Sequence, residues 1–171
     1  SKILPYKAKK VERNLKACNF EHAKTIGIIY EALDQTQHKK VTVFADSIMK
    51  NYGITVQMVG FVSNAELRTA FSGQFGCKYI VQKDFNWYGI GENSIITDFI
   101  KTPFDILIDL SIETIYPLEY LALLSVANFK VGRFIPNKMD YDLMIDIKND
   151  TSIDNLIEQI HVYLSMIKVK N

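Results

Sequence analysis

The sequence predicts a three-layer, doubly wound α/β domain, in which a mostly parallel sheet carries helices on both faces. Two observations carry this expectation. Short β-branched apolar runs recur along the chain, and between them lie segments whose apolar residues follow the helical period. The composition agrees: 171 residues, 48% hydrophobic, with only 8 Gly and 4 Pro. That excludes a disordered chain or linker, and no apolar run is long enough to span a membrane. One core of this size needs no disulfide or metal staple.

The first strand is "TIGIIYEA", residues 25–32, read as buried because it is continuously apolar. Val41, Phe44, Ala45, Ile48, Met49 and Tyr52 then fall on one helical face, and Gly53 is placed to stop that helix. "ITVQMVGFV", residues 54–62, is the second strand. Ser63 with Glu66 reads as a capping box opening a short helix through Leu67, Ala70 and Phe71. "KYIV", residues 78–81, is the third strand. A polar and aromatic loop, residues 82–93, leads to a short helix carrying Ile95, Ile96, Phe99 and Ile100.

"FDILIDL", residues 104–110, is the clearest buried strand. Pro117 fits a first helical position ahead of Leu118, Leu121 and Ala122. "FKVGRF" (129–134) and "LMIDIK" (143–148) are two further strands, with a turn at Pro136 and Asn137 between them. Thr151 and Asp154 are expected to cap a last helix with Ile153, Leu156, Ile157, Ile160, Leu164 and Ile167 on one face. Strands alternating with helices imply βαβ units of the Rossmann or flavodoxin type, one domain over residues 23–171.

Residues 1–22 read differently, as a basic amphipathic helix. Lys2, Lys7, Lys9, Lys10, Arg13 and Lys16 stand against Glu12 alone, a net of +5 over residues 1–16. The whole chain carries +1, so the remainder is near −4. Ile3, Leu4, Val11, Leu15 and Cys18 give the segment a thin apolar stripe, and a basic amphipathic start suits anionic lipid or nucleic acid. The two cysteines, Cys18 and Cys77, form no Cys-x-x-Cys pair and point to a reducing, cytoplasmic setting. The histidines His22, His38 and His161 stand apart, without metal-ligand spacing. No stretch reads as a targeting leader.

In open α/β sheets ligands bind beyond the carboxyl ends of the strands. That places Glu31, Asp34, Ser63, Asn64, Asp84, Asn86, Trp87, Ser111, Glu113, Arg133 and Lys148 near any site. The residues singled out for ligand binding are Asp84, Asn86, Trp87, Gly89 and Gly91. Trp87, the only Trp, stands with Phe85 and Tyr88 in the densest aromatic cluster, where a ring-shaped ligand would stack. Gly89-Ile90-Gly91-Glu92-Asn93-Ser94 approaches the dinucleotide fingerprint, with Asp109 twenty residues after Gly89. It departs at Ser94, where the third glycine belongs, and in the residues from Lys83 to Tyr88 that hold it away from the preceding strand. No P-loop string and no G-x-S-x-G nucleophile elbow occurs. Asp109 itself reads as a strand end near a helix N-terminus.

"DFNWYG" (84–89), "FDILIDL" (104–110), "LLSVANFKVGR" (123–133) and "DLMIDIK" (142–148) resemble an uncharacterised domain-of-unknown-function family of Bacteroidetes-type bacteria. The resemblance implies a small cytoplasmic α/β protein and no assigned activity. "FDILIDLS" and "FKVGRF" are also similar to strands in the acceptor-side, N-terminal half of heptosyltransferase-like glycosyltransferases. The nucleotide-sugar half and the early Gly-Asp pair of those enzymes have no counterpart here, so that likeness implies architecture alone.

The expected function is a non-catalytic binding or interaction module, with a second copy of the chain or an anionic surface as partner and no cofactor. The alternative is a small-molecule or nucleotide-binding enzyme using the loops at the carboxyl ends of the strands.

Overall fold

The computed structural model describes residues 11–71 and 76–170. Six strands, β1 (Thr25–Glu31), β2 (Thr55–Phe61), β3 (Cys77–Ile80), β4 (Ile106–Asp109), β5 (Phe129–Arg133) and β6 (Leu143–Ile145), form one sheet. Every pairing is parallel, and the order is β3-β2-β1-β4-β5-β6. That is the doubly wound Rossmann-like order, with its switch point between β1 and β4.

Among the described residues five helices cover the sheet: α1 (Gln35–Tyr52), α2 (Ala65–Phe71), α3 (Ser94–Lys101), α4 (Tyr116–Leu124) and α5 (Ile153–Met166). Alternation along the strands divides the core in two. Ile26, Ile28, Ile106, Ile108 and Val131 face α1, α2 and α5, where Val41, Ile48, Leu156 and Ile160 are fully buried. Ile29, Val59 and Leu107 face α3 and α4, against Ile96, Phe99, Leu118 and Leu121. The connections cross to both faces, as right-handed crossovers in both directions from β1 require. No described helix is long and apolar enough to cross a membrane.

Helix ends follow local chemistry. Asp34 accepts from the Gln37 amide at 2.8 Å and caps α1, and Gly53 ends it in a left-handed conformation, φ 68°. Two caps differ from expectation by one residue. Asn64, not Ser63, accepts from the Glu66 amide at 2.9 Å, and Ser152, not Thr151, accepts from Asn155 at 3.2 Å. In each case two neighbouring polar residues carry a suitable oxygen, and the one whose backbone turns in front of the helix takes the role.

The helix expected over residues 1–22 is corrected in its described part. Residues 11–19 form neither helix nor strand, and residues 20–22 make a turn; residues 1–10 lie outside the described residues. Residues 11–24 are instead a strap under the amino ends of the strands. Arg13 grips Asp142, just ahead of β6, with two hydrogen bonds of 2.8 and 2.6 Å, and reaches the carbonyls of Ala127 and Asn128 ahead of β5. The Lys16 amide donates to Asn128 O, Asn19 Nδ2 to Ile167 O, and the Phe20 amide to Leu164 O. Asp105 accepts from the amides of Lys24 and Thr25. These long-range partners outbid a helix, which offers a thin apolar stripe little to bury. They also neutralise one expected basic residue, Arg13, within the fold.

Candidate functional site

The carboxyl ends of β1 and β4 meet at the switch point, where this fold places ligands. The β1–α1 turn, Ala32-Leu33-Asp34, holds no glycine. One first-turn donor of α1, the Gln37 amide, is taken by the Asp34 carboxylate, and the Gln37 side chain turns back to the Glu31 carbonyl at 3.1 Å. The seat that a pyrophosphate takes in dinucleotide-binding members is therefore filled by the chain's own carboxylate. Burial, with Glu113 nearby, raises the pKa of Glu31 at the same edge.

Beside it, β4 ends in Asp109, 4% exposed. Its carboxylate accepts from the Ser111 amide at 2.8 Å, from the Ser111 hydroxyl and from the Tyr141 hydroxyl. Burial pushes the Asp109 pKa up against those three donors and the nearby Arg133 guanidinium. Tyr141 is raised by its own burial and by the facing carboxylate. Arg133 turns inward too, donating to Ser111 O and Thr114 Oγ1, both at 3.2 Å. The space these groups leave, about 20 Å³, holds about one water. The cluster closes on itself and ties β4, β5 and the approach to β6 together.

Sequence reasoning placed Ser111 and Arg133 near this edge but left out Tyr141. Its signal was Gly132 on β5: a Cβ there would lie 2.7 Å from Tyr141 Cε2, so the glycine clears the floor on which the ring rests. A strand glycine without a turn around it marks such a close approach.

The β3–α3 loop contains the five residues singled out from sequence. Asp84 accepts from the Val81 amide at 2.8 Å and stands in the short 3₁₀ turn Gln82–Asp84. Asn86 is the hub. Its Oδ1 accepts from the amides of Tyr88 and Ile90, both at 3.0 Å, and its Nδ2 donates to Glu92 at 2.7 Å. Phe85 and Gly91 form an antiparallel bridge, and Phe85 packs edge-on against Tyr120, ring centres 5.3 Å apart.

Gly89 adopts φ 73°, and the Tyr116 hydroxyl donates to its carbonyl at 2.7 Å. A side chain at Gly89 would collide with that hydroxyl, and one at Gly91 with Ile96. Both glycines thus shape the loop. The G-x-G-x-x-S string opens α3, whose N-terminus is capped by Asn93 accepting from Ile96 at 3.0 Å.

Trp87 alone of the five is turned outward, 95% exposed, with Tyr88 67% exposed beside it. The loop therefore spends its polar side chains on itself and presents an aromatic tip. Among the described residues, no three His, Cys, Asp or Glu side chains are placed to hold a metal ion. No curated protein and no solved structure matches this chain. Over residues 1–167 it matches a family of unknown function, DUF6913, and it belongs to that family.

Proposed function

We propose that this chain is a non-catalytic interaction module of the cytoplasm whose contact element is the loop of residues 84–91, with Trp87 at its tip. The observation that carries the reading is a 95% exposed Trp on a loop locked by Asn86, Asp84 and Tyr116. Leaving so large an apolar ring in water is unfavourable, and Trp and Tyr are the side chains that concentrate binding energy at protein interfaces. A loop already held by its own hydrogen bonds loses little conformational freedom on binding. The partner this suits is a protein surface with an apolar pocket, a second copy of the chain included. The basic residues of the 1–22 segment other than Arg13, which Asp142 holds, add a salt-screened attraction to an anionic partner surface. The enzyme reading is less well supported, because the edge groups satisfy one another and leave room for about one water.

The test uses Trp87→Ala and Tyr88→Ala beside the wild type. A photo-crosslinking residue at position 88 identifies partners in cells, and purified partners are then titrated against all three chains. The expected result is a loss of at least tenfold in affinity for Trp87→Ala with an unchanged melting temperature. Equal affinity of wild type and Trp87→Ala for every crosslinked partner would remove the loop from the interface. Sedimentation of the purified chain shows whether the partner is a second copy.

A further inference from the structure

On the sheet face that α1, α2 and α5 cover, an open groove of about 780 Å³ runs between α1 and α5. Phe44 and the half-buried Ile157 form its floor. Val43 on the α1 ridge and Val162 on α5 stand out into solvent, 58% and 42% exposed. The two walls differ in sign. Lys39 and Lys40 line the α1 side, which carries no acid there, and Asp154 and Glu158 line the α5 side. Lys40 binds Asp154 across the end where both helices begin. Lys39 and Glu158 are exposed and make no ion pair among the described residues.

The helices run in the same direction. α1 returns from the end of β1 to the start of β2, and α5 descends to the strap, which the carbonyls of Leu164 and Ile167 hold. The bridge between Lys40 and Asp154 fixes their relative height. Three residues further along each helix, Val43 therefore stands level with Ile157.

Walls of opposite sign select the occupant. A peptide of one sign is drawn to one wall and repelled by the other. A second copy of the chain brings both walls, and a half-turn about an axis along the groove lays each on its opposite. We propose that two copies associate face to face through this groove, with α1 of each on α5 of the other. Val43 of one copy then meets Ile157 of the other, and Lys39 reaches the acidic row of Asp154 and Glu158. The apolar floor is covered and the charges form a rim around it. The 14 residues of α5 make about 21 Å of helix. A face of that length and two helices wide is at the small end of specific interfaces, so the dimer is expected in the micromolar range. This contact is separate from the loop that carries Trp87.

Sedimentation equilibrium of the intact chain over roughly 1–300 μM reads the association constant. Lys39→Glu and Glu158→Lys are each expected to weaken the dimer about tenfold, and Val43→Glu more than that. The double variant carrying both charge swaps is expected to recover most of the loss, because both walls change sign together. Trp87→Ala is expected to leave the constant unchanged. A chain that stays monomeric throughout would overturn the proposal, as would a dimer that neither single swap weakens. A double variant as weak as the single ones would do the same. A dimer lost in Trp87→Ala and kept in Lys39→Glu would move the contact to the loop, overturning this proposal and supporting the loop reading.

Discussion

One tyrosine in each half of the sheet rests on a strand glycine, and the two end differently. In the β4–β6 half, Tyr141 crosses Gly132 and its hydroxyl reaches the buried carboxylate of Asp109. In the β1–β3 half, Tyr79 packs beside Gly60 and its buried hydroxyl makes no hydrogen bond. The same packing device is thus structural on one side, where every polar atom is answered, and incomplete on the other. The difference teaches where to look for chemistry: a satisfied buried network specifies the fold, while an unsatisfied one has capacity left.

The sharpest way to break the comparison is Asp109→Ala, which leaves the Tyr141 hydroxyl and two Ser111 donors facing an apolar gap. The expected cost is about 4 kcal/mol in urea denaturation. Asp109→Asn separates charge from shape. Because burial raises the folded pKa of Asp109 above 3.8, the native state holds that proton more tightly than the unfolded chain. Wild-type stability is therefore expected to fall, relative to Asp109→Asn, as pH rises from about 4 through the folded pKa, and to level off above it. A flat difference would mean the carboxylate pays no burial penalty.

Lys130 shares strand and face with Gly132, and burial, with Arg13 adding to it, pushes its ammonium down to about 8. It is 4% exposed, and its Nζ reaches Leu123 O at 3.3 Å. Below about pH 8 both states are protonated and the native state carries the whole penalty. Between about 8 and 10.5 only the unfolded chain stays protonated, so stability rises with pH across that window. Lys130→Met is expected to be more stable than wild type at pH 7 by up to roughly 3 kcal/mol, with the advantage gone by about pH 10.5. Parallel stability-against-pH curves for the two chains would contradict this.

Smaller effects sharpen the contrast directly. Tyr141→Phe is expected to cost about 2 kcal/mol, while Tyr79→Phe is expected to be neutral or to stabilise by up to about 1 kcal/mol. Equal losses in paired thermal melts would show that the two hydroxyls do the same job. Trp87→Ala sets the floor, with a stability change under about 0.5 kcal/mol, since the side chain stands in solvent; a larger loss would show that the ring is packed in solution.

The architecture was legible because both periods are clean. Ile26, Ile28 and Tyr30 alternate with Gly27 and Ile29, and the α1 stripe from Val41 to Tyr52 keeps helical spacing to the glycine that ends it. The caps were legible to within a residue, because Ser63-Asn64 and Thr151-Ser152 offer the same chemistry twice. The strap was not legible, since its partners at 105, 128, 142, 164 and 167 are remote in sequence and override a local helical stripe. At the loop, residue types pointed to the right segment but not to the division of labour within it. That Asn86 works inward and Trp87 outward depends on a hub of hydrogen bonds that only the folded turn creates. The pairing of Tyr141 with Asp109 spans 32 residues and announces itself only through the bare floor at Gly132.

The strap also sets an order of events during synthesis. Among the described residues it leaves the ribosome first, yet the carbonyl at 128, the carboxylate at 142 and the carbonyls at 164 and 167 emerge long afterwards. Until then Arg13 has no anion to grip and Phe20 no α5 to lean on. The earliest-made part of the described chain is thus the last to be secured, and closing the strap certifies that the β4–β6 half of the sheet and α5 are already in place.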